Sequence, residues 1–235
     1  MFNYQLGIIP ALDVDIQKAK KIAEAVKGLK KEIAGLKIGS ILCWQHGLPK
    51  VVGELKKVCD FPVIFDAQKA CTDIPDIVRK QAKVVANAGV DAFIAAPQGA
   101  GSATLTAFVD ACKEYQIVPI VVLEMTHPEF SAFLSRDAAE KILEKSIDLG
   151  VRNFVAPANK PERLKLYKNI AKKKRKVIKI LSPGVGPQGG GPDTAVEAGA
   201  DFVIVGRAIY QAEEPKEEVK RIYDLIDKAY SSRKE

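Results

Sequence analysis

Short apolar, β-branched runs alternate with longer stretches of helical period from one end of this chain to the other, repeating about every 25 to 30 residues. Such alternation marks repeated strand–helix units and a parallel sheet, because parallel neighbours need a long crossover and the crossover is usually a helix. The pattern predicts roughly eight units, with strands at 6–12, 35–39, 62–66, 92–96, 118–123, 153–156, 178–182 and 202–205. Helices are predicted between them, among others at 16–29, 74–88, 138–149 and 161–174, with a last one at 216–230. No Pro/Gly/Ser-rich linker divides the sequence, so residues 1–235 are expected to form a single α/β domain, a (β/α)8 TIM barrel. Such barrels run to about 250 residues, so this one would be compact. An open doubly wound sheet shares the alternation; the placement of polar residues favours the barrel.

Apolar residues make up 47% of the chain and charged ones 28%, which places it among globular proteins. No apolar run reaches the roughly 18 residues of a membrane span, and no basic patch with an apolar stretch opens the sequence, so a cytoplasmic protein without a membrane partner is expected. Cys43, Cys59, Cys71 and Cys112 are widely spaced with no Cys-x-x-Cys pair, which argues for free thiols over a zinc site or a disulfide framework. With only His46 and His127 besides, a His-rich metal site lacks ligands, although carboxylates could hold magnesium. The net charge of +7 and the Lys-Lys-Lys-Arg-Lys run at 172–176 suit an anionic partner. A basic run that closes an amphipathic helix is more simply a solvated face complementing the helix C-terminus. No aromatics interleave with it to stack bases, so no nucleic-acid partner is expected.

In a (β/α)8 barrel the active site lies at the C-terminal ends of the strands, so charged residues that follow apolar runs repay inspection. Asp13 follows Ile8-Ile9-Pro10-Ala11-Leu12, Asp66 ends Val63-Ile64-Phe65, and Glu124 follows Val121-Val122-Leu123. Lys37 lies inside Gly35-Leu36-Lys37-Ile38-Gly39, where strand alternation sets Leu36 and Ile38 on one face and Lys37 on the other. If the apolar pair meets the helices, Lys37 points into the barrel, a costly position for a lysine without a partner or a task. Asp66, Lys69 and Asp73 then fall within eight positions of one another, and with Lys37 could make an alternating Lys-Asp-Lys-Asp array. Asp73, before Ile74-Pro75, also suits a helix N-cap. After the seventh strand comes Ser182-Pro183-Gly184-Val185-Gly186-Pro187-Gln188-Gly189-Gly190-Gly191, and after the eighth Gly206-Arg207. Barrels of this kind often bind phosphate there, on backbone N–H groups exposed by glycine and a bidentate arginine.

Together these segments resemble the orotidine 5′-monophosphate decarboxylase family in its compact archaeal form. The likeness runs through Ala11-Leu12-Asp13, Lys37-Ile38-Gly39, Asp66, Lys69, Asp73-Ile74-Pro75 and Glu124-Met125-Thr126-His127-Pro128. It is closest towards the C-terminus, in Ala156-Pro157, Pro161-Glu162-Arg163, the loop at 182–191 and Ile204-Val205-Gly206-Arg207-Ala208-Ile209-Tyr210. The resemblance implies decarboxylation of orotidine 5′-monophosphate to UMP without cofactor or metal, in a homodimer with active sites at the subunit interface. By similarity, Lys37, Asp66 and Lys69 belong to one subunit and Asp73 comes from its partner, with Lys69 as proton donor. Asp13 and Lys37 would hold the ribose hydroxyls and Thr126 the pyrimidine edge; Pro183 would line the substrate site; Gln188, Gly206 and Arg207 would bind the phosphate. The sequence departs from the family pattern at three places. Two residues separate Asp66 from Lys69 and three separate Lys69 from Asp73, one more in each gap than usual. Ile77 stands where a ribose-binding Thr is usual, and Gln98 where a His is common. A strand can absorb the first extra residue only through a bulge or an early turn. Two other readings fit parts of the pattern: a magnesium-dependent sugar-phosphate decarboxylase or hexulose-phosphate synthase, whose second strand usually carries a Glu where Lys37 stands, and a non-catalytic nucleotide-phosphate-binding barrel.

Overall fold

Eight parallel strands form a single sheet in the order β1-β8-β7-β6-β5-β4-β3-β2. They are β1 (Gly7–Pro10), β2 (Leu36–Gly39), β3 (Val63–Asp66), β4 (Ala92–Ala95), β5 (Val118–Val122), β6 (Asn153–Val155), β7 (Lys179–Ser182) and β8 (Phe202–Val205). The computed structural model describes residues 5–67, 72–127, 129–132, 134–135, 137–186 and 190–233. Parallel bridges Ile8–Ile33 and Ala11–Lys37 join the two ends of the sheet, and Leu12 N–H donates to the Lys37 carbonyl at 2.8 Å. The sheet therefore closes into a barrel, as the sequence predicts, and the doubly wound alternative, which needs two free edges, does not hold.

Strand alternation sorts the side chains into two apolar layers. Ile9, Ile64, Ile94, Val122, Leu181 and Ile204 fill the barrel interior, whereas Ile8, Leu36, Ile38, Phe93, Val121 and Phe154 pack outward. The helices that cover this outer layer are α1 (Ile16–Val26), α2 (Ser40–His46), α3 (Leu48–Lys56), α4 (Pro75–Asn87), α5 (Gly101–Glu114), α6 (Ala138–Asp148), α7 (Pro161–Lys173), α8 (Pro192–Glu197), α9 (Arg207–Tyr210) and α10 (Pro215–Ser232). Their starts follow from local chemistry. At α1 the Asp15 carboxylate accepts from the N–H groups of Gln17 and Lys18, both at 3.0 Å. Asp73 does not cap α4 in the same way. The residue before a proline is pushed out of the helical region, so Ile74 is extended (φ −69°, ψ 158°) and becomes the N-cap itself, while the Asp73 carboxylate accepts from Ile74 N–H at 2.7 Å.

The basic run at 172–176 closes α7 on the face of the barrel opposite the strand C-termini; Lys174 pairs there with Asp148 at 2.8 Å, and Val177 beyond it is exposed. Cys43 and Cys59 are free thiols, as expected, Cys112 is buried, and Cys71 lies outside the described residues. Among the described residues no helix is long and apolar enough to cross a membrane.

Candidate active site

Lys37 does point into the barrel. It pairs with Ile64 across the β2–β3 ladder, and Asp66, two residues further along β3, falls on the same inward face opposite Gly39 and Ile94. The Lys37 ammonium donates to Asp66 Oδ2 at 2.8 Å and lies 3.8 Å from Asp13 Oδ1. Lys37 is buried there and Asp66 largely so, with side chains 10% and 11% exposed. Burial opposes the charge on Lys37, but Asp66 and then Asp13 more than reverse that, and the ammonium is held above the ordinary lysine value. Gly39 makes the arrangement possible: a Cβ there would sit 2.8 Å from Asp13 Oδ1. The other carboxylate oxygen, Asp66 Oδ1, is buried and has no hydrogen-bond partner among the described residues. β3 ends at Asp66 with its alternation intact, so the strand itself holds no bulge; the lengthened spacing to Lys69 falls outside the described residues.

Across the barrel mouth a parallel bridge between Val185 and Gly190 draws together the two described flanks of the glycine-rich segment after β7. Gly186 N–H donates to Gly190 O at 2.9 Å, and Gly190 N–H to Gly184 O at 3.1 Å. A side chain at Gly190 would meet Gly184 O at 2.7 Å and Ala158 Cβ at 2.9 Å, so this close approach of backbone to backbone requires glycine there. Arg207 opens α9 just beyond β8, is exposed, and makes no ion pair among the described residues.

One cavity of about 220 Å³ joins the two halves of the mouth. Asp13, Lys37 and Asp66 lie on one side, Pro183, Gly206 and Arg207 on the other, and Thr126 from the loop after β5 lies between them. Ile94, Val155 and Ile204 line it as inward strand residues, and Tyr210 joins them from α9. The first three were legible from strand alternation although the sequence reading did not single them out. Of the remaining predicted site residues, Lys69 and Gln188 lie outside the described residues. Asp73 is exposed and does not line the cavity; its main chain is fixed by Thr104, whose hydroxyl donates to Asp73 O at 2.9 Å. Ile77 faces a neighbouring groove, and Gln98 uses its amide to hold the end of β5, donating to Val122 O at 2.8 Å and Leu123 O at 3.2 Å. Among the described residues no three His, Cys, Asp or Glu side chains gather as metal ligands do.

The arrangement, a buried cation locked between carboxylates and facing a glycine–arginine cradle, can hold an anionic ester and place fixed charge beside its far end. Comparison with known proteins places it. A family model described as orotidine 5′-phosphate decarboxylase / HUMPS family matches residues 7–222. A protein of Pyrococcus furiosus named orotidine 5′-phosphate decarboxylase is 38% identical over 227 residues, covering 96% of this chain and 100% of the relative. One of the same name from Methanosarcina acetivorans is 40% identical over 222 residues, covering 93% and 94%. Among solved structures, the orotidine 5′-monophosphate decarboxylase of Methanocaldococcus jannaschii complexed with the inhibitor BMP superposes with a TM-score of 0.84 at 35% identity, covering 95% of this chain and 100% of the other. With the fold, the matched length and the relatives in agreement, this chain belongs to the orotidine 5′-phosphate decarboxylase / HUMPS family.

Proposed function

We propose that the cavity binds orotidine 5′-monophosphate and that the chain decarboxylates it to UMP, the activity for which its relatives are named. The observation that carries this reading is Asp66. One of its carboxylate oxygens is taken by Lys37 and the other is buried with no partner among the described residues, a place that a second ammonium would fill. Lys69, three residues on, supplies that ammonium. In the reaction the C6–carboxylate bond breaks, its electron pair stays on C6 in the plane of the ring, and CO₂ leaves. No adjacent carbonyl delocalises the pair, so stabilisation has to come from charge placed beside C6. The Lys69 ammonium, kept charged and oriented by Asp66 and Asp73, stabilises the pair and then gives its proton to C6. Asp66 beside the substrate carboxylate adds a repulsion that is relieved as CO₂ departs. Asp13 and Lys37 hold the ribose hydroxyls, Thr126 the pyrimidine edge, and Gln188, Gly206 and Arg207 the phosphate; Pro183 lines the wall between ring and phosphate. Binding energy from that remote phosphate helps to organise the reacting end, so Gln188 and Arg207 contribute to rate as well as affinity.

A second copy of the chain completes the site in this reading. Asp73 stays outside its own cavity, and beside that cavity lies an apolar groove of about 780 Å³ that reaches Lys37 and Asp66 and carries exposed Ile41, Trp44 and Val84. Exposed apolar area of this kind marks association surfaces. Covering it with a two-fold partner would bring the partner's copy of the same loop towards the cavity. A charged nucleotide that does not cross a bilayer unaided also suits a cytoplasmic enzyme.

Three experiments test the proposal. UMP should form from orotidine 5′-monophosphate in the presence of EDTA, and Lys69→Ala should keep measurable UMP affinity while losing several orders of magnitude in turnover; near-normal turnover would remove Lys69 from the mechanism. Loss of wild-type activity in EDTA with recovery on adding magnesium would favour the sugar-phosphate reading, which Lys37, a cation where a metal-holding Glu is usual, opposes. Mixing inactive Lys69→Ala and Asp73→Ala subunits should restore about a quarter of the sites, because half the random dimers carry one intact pair. No recovery on mixing would place both residues in one subunit's site.

A further inference from the structure

Glu124 lies outside the cavity, yet it fixes one of the cavity's walls. The chain leaves β5 as Leu123-Glu124-Met125-Thr126; Thr126 faces the cavity, whereas Glu124, only 6% exposed, turns to the outer side and lines a separate pocket. Its Oε1 accepts from the Tyr167 hydroxyl at 2.5 Å and from Arg163 Nε, and its Oε2 from the Lys160 ammonium at 3.3 Å. Arg163 extends the network, donating from Nη2 to the Tyr167 hydroxyl at 3.0 Å and from Nη1 to Glu140 at 3.2 Å. Tyr167 is fully buried. Lys160 is the N-cap of α7, Arg163 and Tyr167 lie in its first two turns, and Asn159 just before it reaches the Thr126 carbonyl with its amide nitrogen at 3.5 Å. On the opposite flank Gln98 holds Val122 O and Leu123 O. The exit of β5 is thus gripped from β4 and from α7, and Thr126 stands two residues beyond the grip.

Docking α7 on β5 does not by itself require this arrangement. An apolar pair of equal volume in place of a buried carboxylate and its partners would close that contact as well or better. What the ionic form adds is direction: a carboxylate held by a tyrosine hydroxyl and an arginine fork admits one orientation, where an apolar contact admits several. We infer that Tyr167 and Arg163 are positioning residues for the decarboxylation, acting through Glu124 to set Thr126 against the pyrimidine. The inference rests on the cavity being the orotidine 5′-monophosphate site.

A double-mutant cycle between Tyr167 and Thr126 tests it. Tyr167→Phe should lower kcat/KM for orotidine 5′-monophosphate about tenfold at a temperature well below its melting point. In a Thr126→Ala background the same change should move kcat/KM by less than about twofold, because the group being positioned is already gone. The affinity for UMP, titrated separately, should show the same non-additivity. Independent, multiplying losses would overturn the inference, as would a Tyr167→Phe protein that melts earlier but turns over normally. Should Tyr167→Phe not fold, Arg163→Lys keeps the charge, loses the fork, and enters the same cycle. If wild type binds UMP but does not turn over orotidine 5′-monophosphate, the assigned reaction fails on its own account, and the cycle read on UMP affinity still decides the coupling.

Discussion

The two ends of the barrel each carry a buried cluster of charges, and they are built to different ends. At the strand N-termini Asp201 is saturated: Oδ2 accepts from Ile180 N–H at 2.8 Å and from the Lys168 ammonium at 2.6 Å, while Oδ1 faces Lys179 at 3.6 Å and Arg233 at 3.8 Å. At the strand C-termini Asp66 keeps one buried oxygen without a partner among the described residues, in a cluster that opens onto a cavity. A closed network fixes the chain, whereas an open one leaves bonding capacity for something that arrives later. This matches the division of labour in such barrels, stability at one face and chemistry at the other.

The largest effect expected from breaking the comparison is at the open end. Replacing both members of the upper pair, Lys37→Met with Asp66→Leu, should abolish turnover by about a thousandfold or more while leaving the melting temperature unchanged or higher. A parallel fall in stability would show that the pair is structural. At the closed end Asp201→Asn should leave kcat intact but cost about 3 kcal/mol, read as a drop of about 6–12 °C in the melting temperature.

Acid should act on a third carboxylate, Glu124. Burial alone would raise its pKa, but Tyr167, Arg163 and Lys160 more than offset that and hold it below the ordinary glutamate value. Its contribution is therefore present above that ordinary value and is lost as pH falls through the depressed one. Melting curves of wild type and Glu124→Gln should differ at neutral pH and converge in acid. Lys37 works in the opposite sense: its raised pKa makes its contribution full below the ordinary lysine value and lost as pH rises through the raised one. The smallest effects lie away from both clusters. Gln116 (φ 58°) and Arg175 (φ 54°) occupy left-handed positions just past α5 and α7. Glycine at either should stabilise by about 0.5–1 kcal/mol without touching activity, as denaturant melts would show.

Much of the open cluster could be read in the sequence, because a lysine flanked by apolar residues at strand spacing has only one face to occupy once those neighbours meet the helices. Lys37 and Asp66 were legible for that reason, and the loop at 182–191 because glycines that close a turn are conspicuous. The closed cluster was not legible. Asp201 sits in a short segment between α8 and β8, and its partners come from α7, β7 and the end of α10, an encounter only the closed barrel creates. The same holds for Glu124: the sequence marks it as a charge after an apolar run, but Tyr167 reads as one more residue of an amphipathic helix until α7 is laid against β5. The cap at α4 was misread locally, since the proline's effect on Ile74 outweighs the capping preference of Asp73.

The most direct test of the central claim, that the upper cluster is left open for a phosphorylated substrate, is the rate of UMP formation from orotidine 5′-monophosphate in EDTA by wild type and by Asp66→Asn, which keeps the shape and removes the charge. Turnover by wild type and a loss of about a hundredfold or more in the variant, with UMP still bound, is the predicted result. Equal rates for the two proteins would contradict the account.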